Sequence, residues 1–104
     1  MNMKCAELDH LFDAIQTLSE KDEFYDFFQD LCTIDELHEM GQRFEVARLL
    51  DHGENYDAIR ESTGVSAGTI SRFKRAYQYG TGGYKLAIKR FHKLHGILYK
   101  TQND

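Results

Sequence analysis

Apolar residues in this chain return every three or four positions, and no stretch of useful length alternates with period two. That spacing lines one face of an α-helix, so helices rather than strands are the expected building units. Leu8, Leu11, Phe12, Ile15 and Leu18 mark a first helix. Ser19 is placed to cap a second, whose stripe is Phe24, Phe27, Phe28 and Leu31. "TIDE" opens a third: Thr33 caps it and Glu36 follows at capping-box spacing. Ile34, Leu37, Met40, Phe44, Ala47 and Leu50 then carry one face as far as Gly53, a natural stop. Asn55 caps a short fourth helix, "YDAIREST", ended by Gly64. Ser66 caps a fifth running to about Gln78, with Gly80 as its stop. After "GTGG" a sixth runs from about Tyr84 to Leu94, with Leu86, Ile88 and Phe91 as its apolar positions. The expected fold is all-α with six helices, one domain over residues 1–104, with no internal repeat and no dividing linker.

The chain has 104 residues, no proline and no tryptophan, and 41% of it is hydrophobic, a globular rather than disordered composition. No run approaches the ~20 apolar residues that span a bilayer. "MNMKCAELDH" lacks the apolar run of a signal peptide. Cys5 and Cys32 are isolated thiols without metal-like spacing, which suits a reducing compartment. A cytoplasmic protein with no membrane partner is expected. The first two helices are rich in Phe and Leu, while a chain this short has little body for them to cover. That predicts that they embrace a second copy of the chain, with a monomeric helical bundle as the alternative.

Charge is divided sharply along the sequence. Residues 1–65 sum to −11 and residues 66–104 to +7, within a total of −4. The segment from Ser66 to Gln78 carries three positive charges and no negative one. Such polarity suggests a localised surface for a polyanion, unless the basic part pairs with the acidic part. The basic segment also follows a glycine turn. A helix-turn-helix needs a short first helix, a tight turn and a second helix able to enter the major groove. Gly64 supplies the turn, and Ile59, Val65, Ile70 and Phe73 supply facing apolar positions across about residues 55–78.

Wound at 100° per residue, the fifth helix turns Ile70, Phe73 and Tyr77 inward and Gly68, Ser71, Arg72 and Arg75 outward. Ser66 as cap and the small residues Ala67, Gly68 and Thr69 let the start of the helix come close to bases. Thr69, Ser71 and Arg72 are the expected base readers, while Arg60, Lys74 and Arg75 are expected at phosphates or bases. Arg60 occupies a position of the first helix that ordinarily takes a small residue, so it must tilt outward. Two packed helices joined by a glycine turn, with no nucleic acid involved, remain the plainer alternative.

"LCTIDELHEMGQRFEVARLL" followed by "YDAIRESTGVSAGTISR" resembles the Trp repressor family, and more closely its YerC/YecD-type bacterial branch. The likeness runs over about residues 8 to 95 and is densest from Leu31 to Arg72. It implies a six-helix protomer, an intertwined homodimer and a palindromic DNA operator. It also implies a corepressor site at Thr33, Arg43 and Arg72, whose residue types are all retained. Three positions depart from the pattern: Phe73 replaces a glycine, Ala76 a serine and Ile34 a proline. A phenyl ring at Phe73 takes the space an indole needs, which argues against tryptophan. Thr33 is already explained as a cap, and Arg43 and Arg72 as partners of carboxylates or phosphates. Asp57 stands where the family carries a basic residue, and Arg60 where it carries a lysine.

No enzymatic motif is legible. His92 and His95 are three apart on the last helix without a third ligand at metal spacing, and are expected as a partly exposed pair. His10 and His38 read as surface positions, and Cys32 as packed. "GTGG" lacks the lysine and the strand of a phosphate-binding loop. The carboxylates Asp35, Glu36, Glu20, Asp22 and Glu23 fall in first turns of helices, where the helix dipole accounts for them. The expectation is therefore a DNA-binding transcriptional regulator, a repressor in its simplest form, with no metal and no cofactor. The alternatives are a repressor gated by a small molecule other than tryptophan, and a protein-interaction module on a helix-turn-helix scaffold.

Overall fold

A computed structural model describes residues 3–96. Among these residues it contains six α-helices: α1 (Ala6–Gln16), α2 (Lys21–Leu31), α3 (Ile34–Asp51), α4 (Tyr56–Thr63), α5 (Ala67–Tyr79) and α6 (Gly83–His95). The chain divides into two compact units, Met1–His38 and Glu39–Asp104.

In the first unit, neither α1 nor α2 has a buried residue. Phe12, Tyr25, Leu31 and Ile34 are large and exposed. The helix ends are well specified all the same. The cap of α2 is Glu20, one residue later than Ser19: its side chain accepts from the first turn, and Glu23 reaches back. Ser19 is used differently from the expectation, its backbone N–H and hydroxyl both donating to Glu23 Oε1 at 2.9 and 3.4 Å. A longer acidic side chain prevails because Glu23 gathers donors from two successive residues. Thr33 caps α3 as its spacing predicts. Its Oγ1 accepts from Glu36 N at 3.1 Å and its own N–H donates to Glu36 Oε1 at 2.7 Å. These backbone donors hold the Glu23 and Glu36 carboxyls below their ordinary value.

In the second unit, one apolar cluster joins α3, α4 and α5 through Val46, Ile59, Val65, Ile70 and Phe73, with Leu49, Leu50 and Tyr56 packed against it. The four residues expected to pack across the turn are all members. Burying each such side chain contributes about 1.5–3 kcal/mol. Ile88 of α6 is fully buried as well. Arg48, 8% exposed, is ion-paired to Glu45 and lies over the Phe91 ring at 5.6 Å.

The turn between α4 and α5 works as its sequence predicts. Asn55 Oδ1 caps α4 by accepting from Ala58 N at 2.8 Å. Gly64 ends that helix at φ +75°, a conformation in which a Cβ meets the following carbonyl. Ser66 Oγ accepts from Thr69 N at 3.3 Å and starts α5. Gly80 ends α5 for a different reason, since its φ of −81° suits any residue. A Cβ there would stand 2.5 Å from the carbonyl oxygen of Ala76.

The C-terminal half of α5 is tied to α3 by Tyr77, whose hydroxyl donates to Asp51 Oδ1 at 2.5 Å. That bond, with burial second, pushes the Tyr77 phenol from 10 up to about 12. A raised phenol stabilises the fold fully below pH 10 and ceases to do so as pH rises through about 12. Urea unfolding across this window should therefore show a steeper alkaline loss of stability for the wild type than for Tyr77→Phe. Gly64→Ala should cost about 1 kcal/mol in the same measurement at neutral pH.

Candidate nucleic-acid interface

The second unit presents α5 with its cluster side buried and its other side open. Ile70 and Phe73 are buried, while Gly68, Ser71, Arg72 and Arg75 are exposed, as the winding of the sequence predicts. Ser66 is exposed, and Ala67 and Thr69 are half-buried. Gly68 is informative because it lies in the first turn of a helix with nothing within 4 Å of where a Cβ would be. No internal contact requires a glycine there, and glycine is a poorer helix former than alanine. The first turn of α5 contains no acidic residue, so its amide ends are not already engaged by a carboxylate.

Three predicted contact residues are held by partners that the sequence did not announce. Tyr56, the first residue of α4, bonds Ser71 Oγ through its hydroxyl at 3.2 Å. The same ring lies 5.7 Å from Lys74 Nζ. Tyr56 therefore fixes one hydroxyl and one ammonium of α5 while its ring packs on the core. It was missed because its partners lie fifteen and eighteen residues away, and spacing within one helix cannot reveal them. Arg60 does tilt outward, being 50% exposed on its side chain, but it is ion-paired to Asp57 in its own helix. Asp57 thus both occupies a position of the first turn of α4 and engages the arginine that follows it.

The residues expected around a small ligand each have a partner within their own unit. Thr33 lies in the first unit and is engaged as the cap of α3. Arg43 and Arg72 lie in the second unit and meet at one ring: their guanidinium carbons stand 5.5 and 5.7 Å from the centroid of Phe73. Arg43 is also ion-paired to Glu39 at 3.4 Å. An open groove of about 560 Å³, lined by Phe44, Ala76, Tyr77, Tyr84 and Ala87 among others, was not foreseen.

His92 and His95 form the partly exposed pair expected of them. His92 is half-buried, and its Nε2 finds no hydrogen-bond partner among the described residues. His95 is exposed and lies tilted against Phe91 with ring centroids 4.9 Å apart. Among the described residues no three His, Cys, Asp or Glu side chains converge as metal ligands, and no helix is long and apolar enough to cross a membrane.

The bracing by Tyr56 is directly measurable. Tyr56→Phe should cost about 0.5 kcal/mol in urea unfolding, the worth of one exposed hydrogen bond. Tyr56→Ala should cost about 2 kcal/mol, because packing on the core is lost too.

The same chain matches known proteins over most of its length. The family model described as Trp repressor protein matches residues 6–92. YerC of Bacillus subtilis, an uncharacterized protein, is 49% identical over 84 residues, 81% of each chain. The solved structure of a TrpR-like protein from Eubacterium eligens superposes with a TM-score of 0.81 at 45% identity, covering 86% of this chain and 92% of that one. A candidate Trp repressor from Staphylococcus aureus gives the same TM-score at 42% identity, covering 86% of this chain and 90% of that one. Six helices in this order, a glycine turn ahead of α5 and these likenesses together mean that the chain belongs to the Trp repressor family, in company with YerC.

Proposed function

We propose that this protein is a sequence-specific DNA-binding transcriptional regulator that binds a palindromic operator as a homodimer and represses by blocking access to a promoter. α5 enters the major groove and α4 braces against the backbone. Thr69, Ser71 and Arg72 read bases, Arg75 and Lys74 meet phosphates or bases, and Ser66, Ala67 and Gly68 bring the helix start close to the duplex. The observation that carries this reading is Gly68. An exposed helical glycine with open space over its Cα has no role inside the chain, yet it shares a face with Ser71, Arg72 and Arg75. Close approach of another molecule explains it, and the neighbouring cations make that molecule a polyanion. Membership in the Trp repressor family supports a DNA-binding regulator over an enzyme.

The homodimer is supported by what the single chain leaves uncovered. Ile34 is 68% exposed and Met40 45% exposed on α3, and Phe12 and Tyr25 are exposed on α1 and α2. α3 also has an exposed internal glycine, Gly41, with open space over its Cα, suited to a close crossing with a second helix. Covering such faces with another copy supplies the core that one chain of this length lacks.

Selection of duplexes from a random pool at near-physiological salt tests the reading. The wild type should enrich a palindrome, and its affinity should fall steeply with salt. Arg75→Ala should reduce the slope of log affinity against log salt by about 1. Gly68→Ala should raise folding stability by about 0.5 kcal/mol yet weaken duplex binding roughly tenfold, opposite effects that a purely internal role does not produce. Asp57→Asn should release Arg60 and tighten binding to non-specific DNA severalfold. Failure to enrich any sequence, with residual binding erased by salt, would instead assign the basic helix to a protein partner.

A further inference from the structure

Phe73 is the one residue of α5 that belongs to the buried cluster and also meets two cations. Its ring is 7% exposed, packed with Val46 of α3, Ile59 of α4, Val65 of the turn and Ile70 of its own helix. Arg43 reaches that ring from α3, and Arg72 reaches it from α5 itself. A guanidinium within about 6 Å of an aromatic centroid is attracted by the ring quadrupole. One ring therefore satisfies two like charges from two helices, one of which, Arg72, stands on the outward-facing side of α5. Further ties set the rotation of α5: Tyr77 to Asp51 near its end, and Ser71 and Lys74 to Tyr56 along its middle.

We propose that Phe73 serves as a built-in effector: by engaging Arg43 of α3 across the packed helices, with Arg72 lying over the same ring from within α5, it holds α5 in its DNA-reading orientation with no small molecule, so the protein reads DNA constitutively. This rests on the DNA-binding reading above and adds how that surface is regulated. An aromatic body flanked by cations is what a planar organic anion or an aromatic ligand would exploit, and here the chain supplies the aromatic body itself. Removal of the ring should leave an apolar gap beside two arginines. Apolar gaps of ~150 Å³ take up benzene-sized molecules. The ring-deleted protein should therefore acquire the ligand dependence that the natural chain lacks.

The test uses the full-length chain and two readouts, hydrogen exchange of the α5 amides and affinity for the duplex that the wild type enriches. Tryptophan, indole and benzene, each at millimolar concentration, are the probes. The wild type should be unchanged by all three in both readouts. Phe73→Ala should lose protection in α5 and at least tenfold in affinity, and indole or benzene should restore a large part of both. Phe73→Leu and Arg43→Met keep apolar volume and the arginine stem, and so guard against simple unfolding. Each should lose affinity severalfold, and the double variant should be no weaker than the worse single one, because both remove the same interaction. A wild type whose α5 protection rises with any probe overturns the inference, as do Phe73→Leu and Arg43→Met variants that match the wild type in both readouts. The two readouts also separate the two readings. Loss and rescue of α5 protection without any duplex enrichment overturns the DNA-binding reading and leaves the aromatic tie standing. Duplex enrichment that responds to added probe overturns the tie and leaves DNA binding standing.

Discussion

Everything distinctive about the second unit depends on the apolar contact that α5 makes with α3 and α4. Ile70 and Phe73 of α5 close on Val46 and Ile59, with Val65 of the turn sealing the cluster. This contact is what makes a 13-residue basic helix a rigid presenting surface. An isolated helix of that length is marginal in water, since nucleation is costly and each added hydrogen bond returns little. Packing supplies the missing stability, and it also decides which side of the helix remains outside. The turn permits the contact because Gly64 reverses the chain in a left-handed conformation without a side-chain clash.

Polar groups then tune a geometry that apolar burial has already set. Tyr77 with Asp51 joins α5 to α3, Tyr56 with Ser71 and Lys74 joins it to α4, and Arg43 with Phe73 adds a cation to the buried ring. Each is modest by itself, since exposed hydrogen bonds and cation–π contacts contribute about 0.5–1 kcal/mol. Their value lies in direction, because burial alone is indifferent to small rotations of a helix. Ser71 and Lys74 are thereby held in place, which in the proposed DNA-binding reading lowers the ordering cost of binding.

The two units differ in kind. α2 has a defined capping box, and α1 and α2 carry apolar side chains but fully bury none of them, whereas α4 and α5 each bury theirs within the chain. Local helix signals and tertiary burial are separate properties, and only the second needs a body to pack against.

The sequence by itself determined the six helices, the glycine turn, the inward set Ile59, Val65, Ile70 and Phe73, and the outward set Gly68, Ser71, Arg72 and Arg75. These follow from the 3.6-residue period and from capping chemistry, both of which act over a few residues. Its motifs also carried the family. Tertiary structure alone decided the partners of those side chains: Tyr56 behind Ser71 and Lys74, Asp51 behind Tyr77, and Arg43 at the Phe73 ring. It also left the His92 side chain half-buried with no hydrogen-bond partner among the described residues for its Nε2. Local reach, not tertiary packing, moved the start of α2 from Ser19 to Glu20 through Glu23 and paired Arg60 with Asp57. A period fixes which way a residue faces along its own helix, whereas a partner on another helix is chosen by how the helices pack, and that choice is written in no local stretch of the chain.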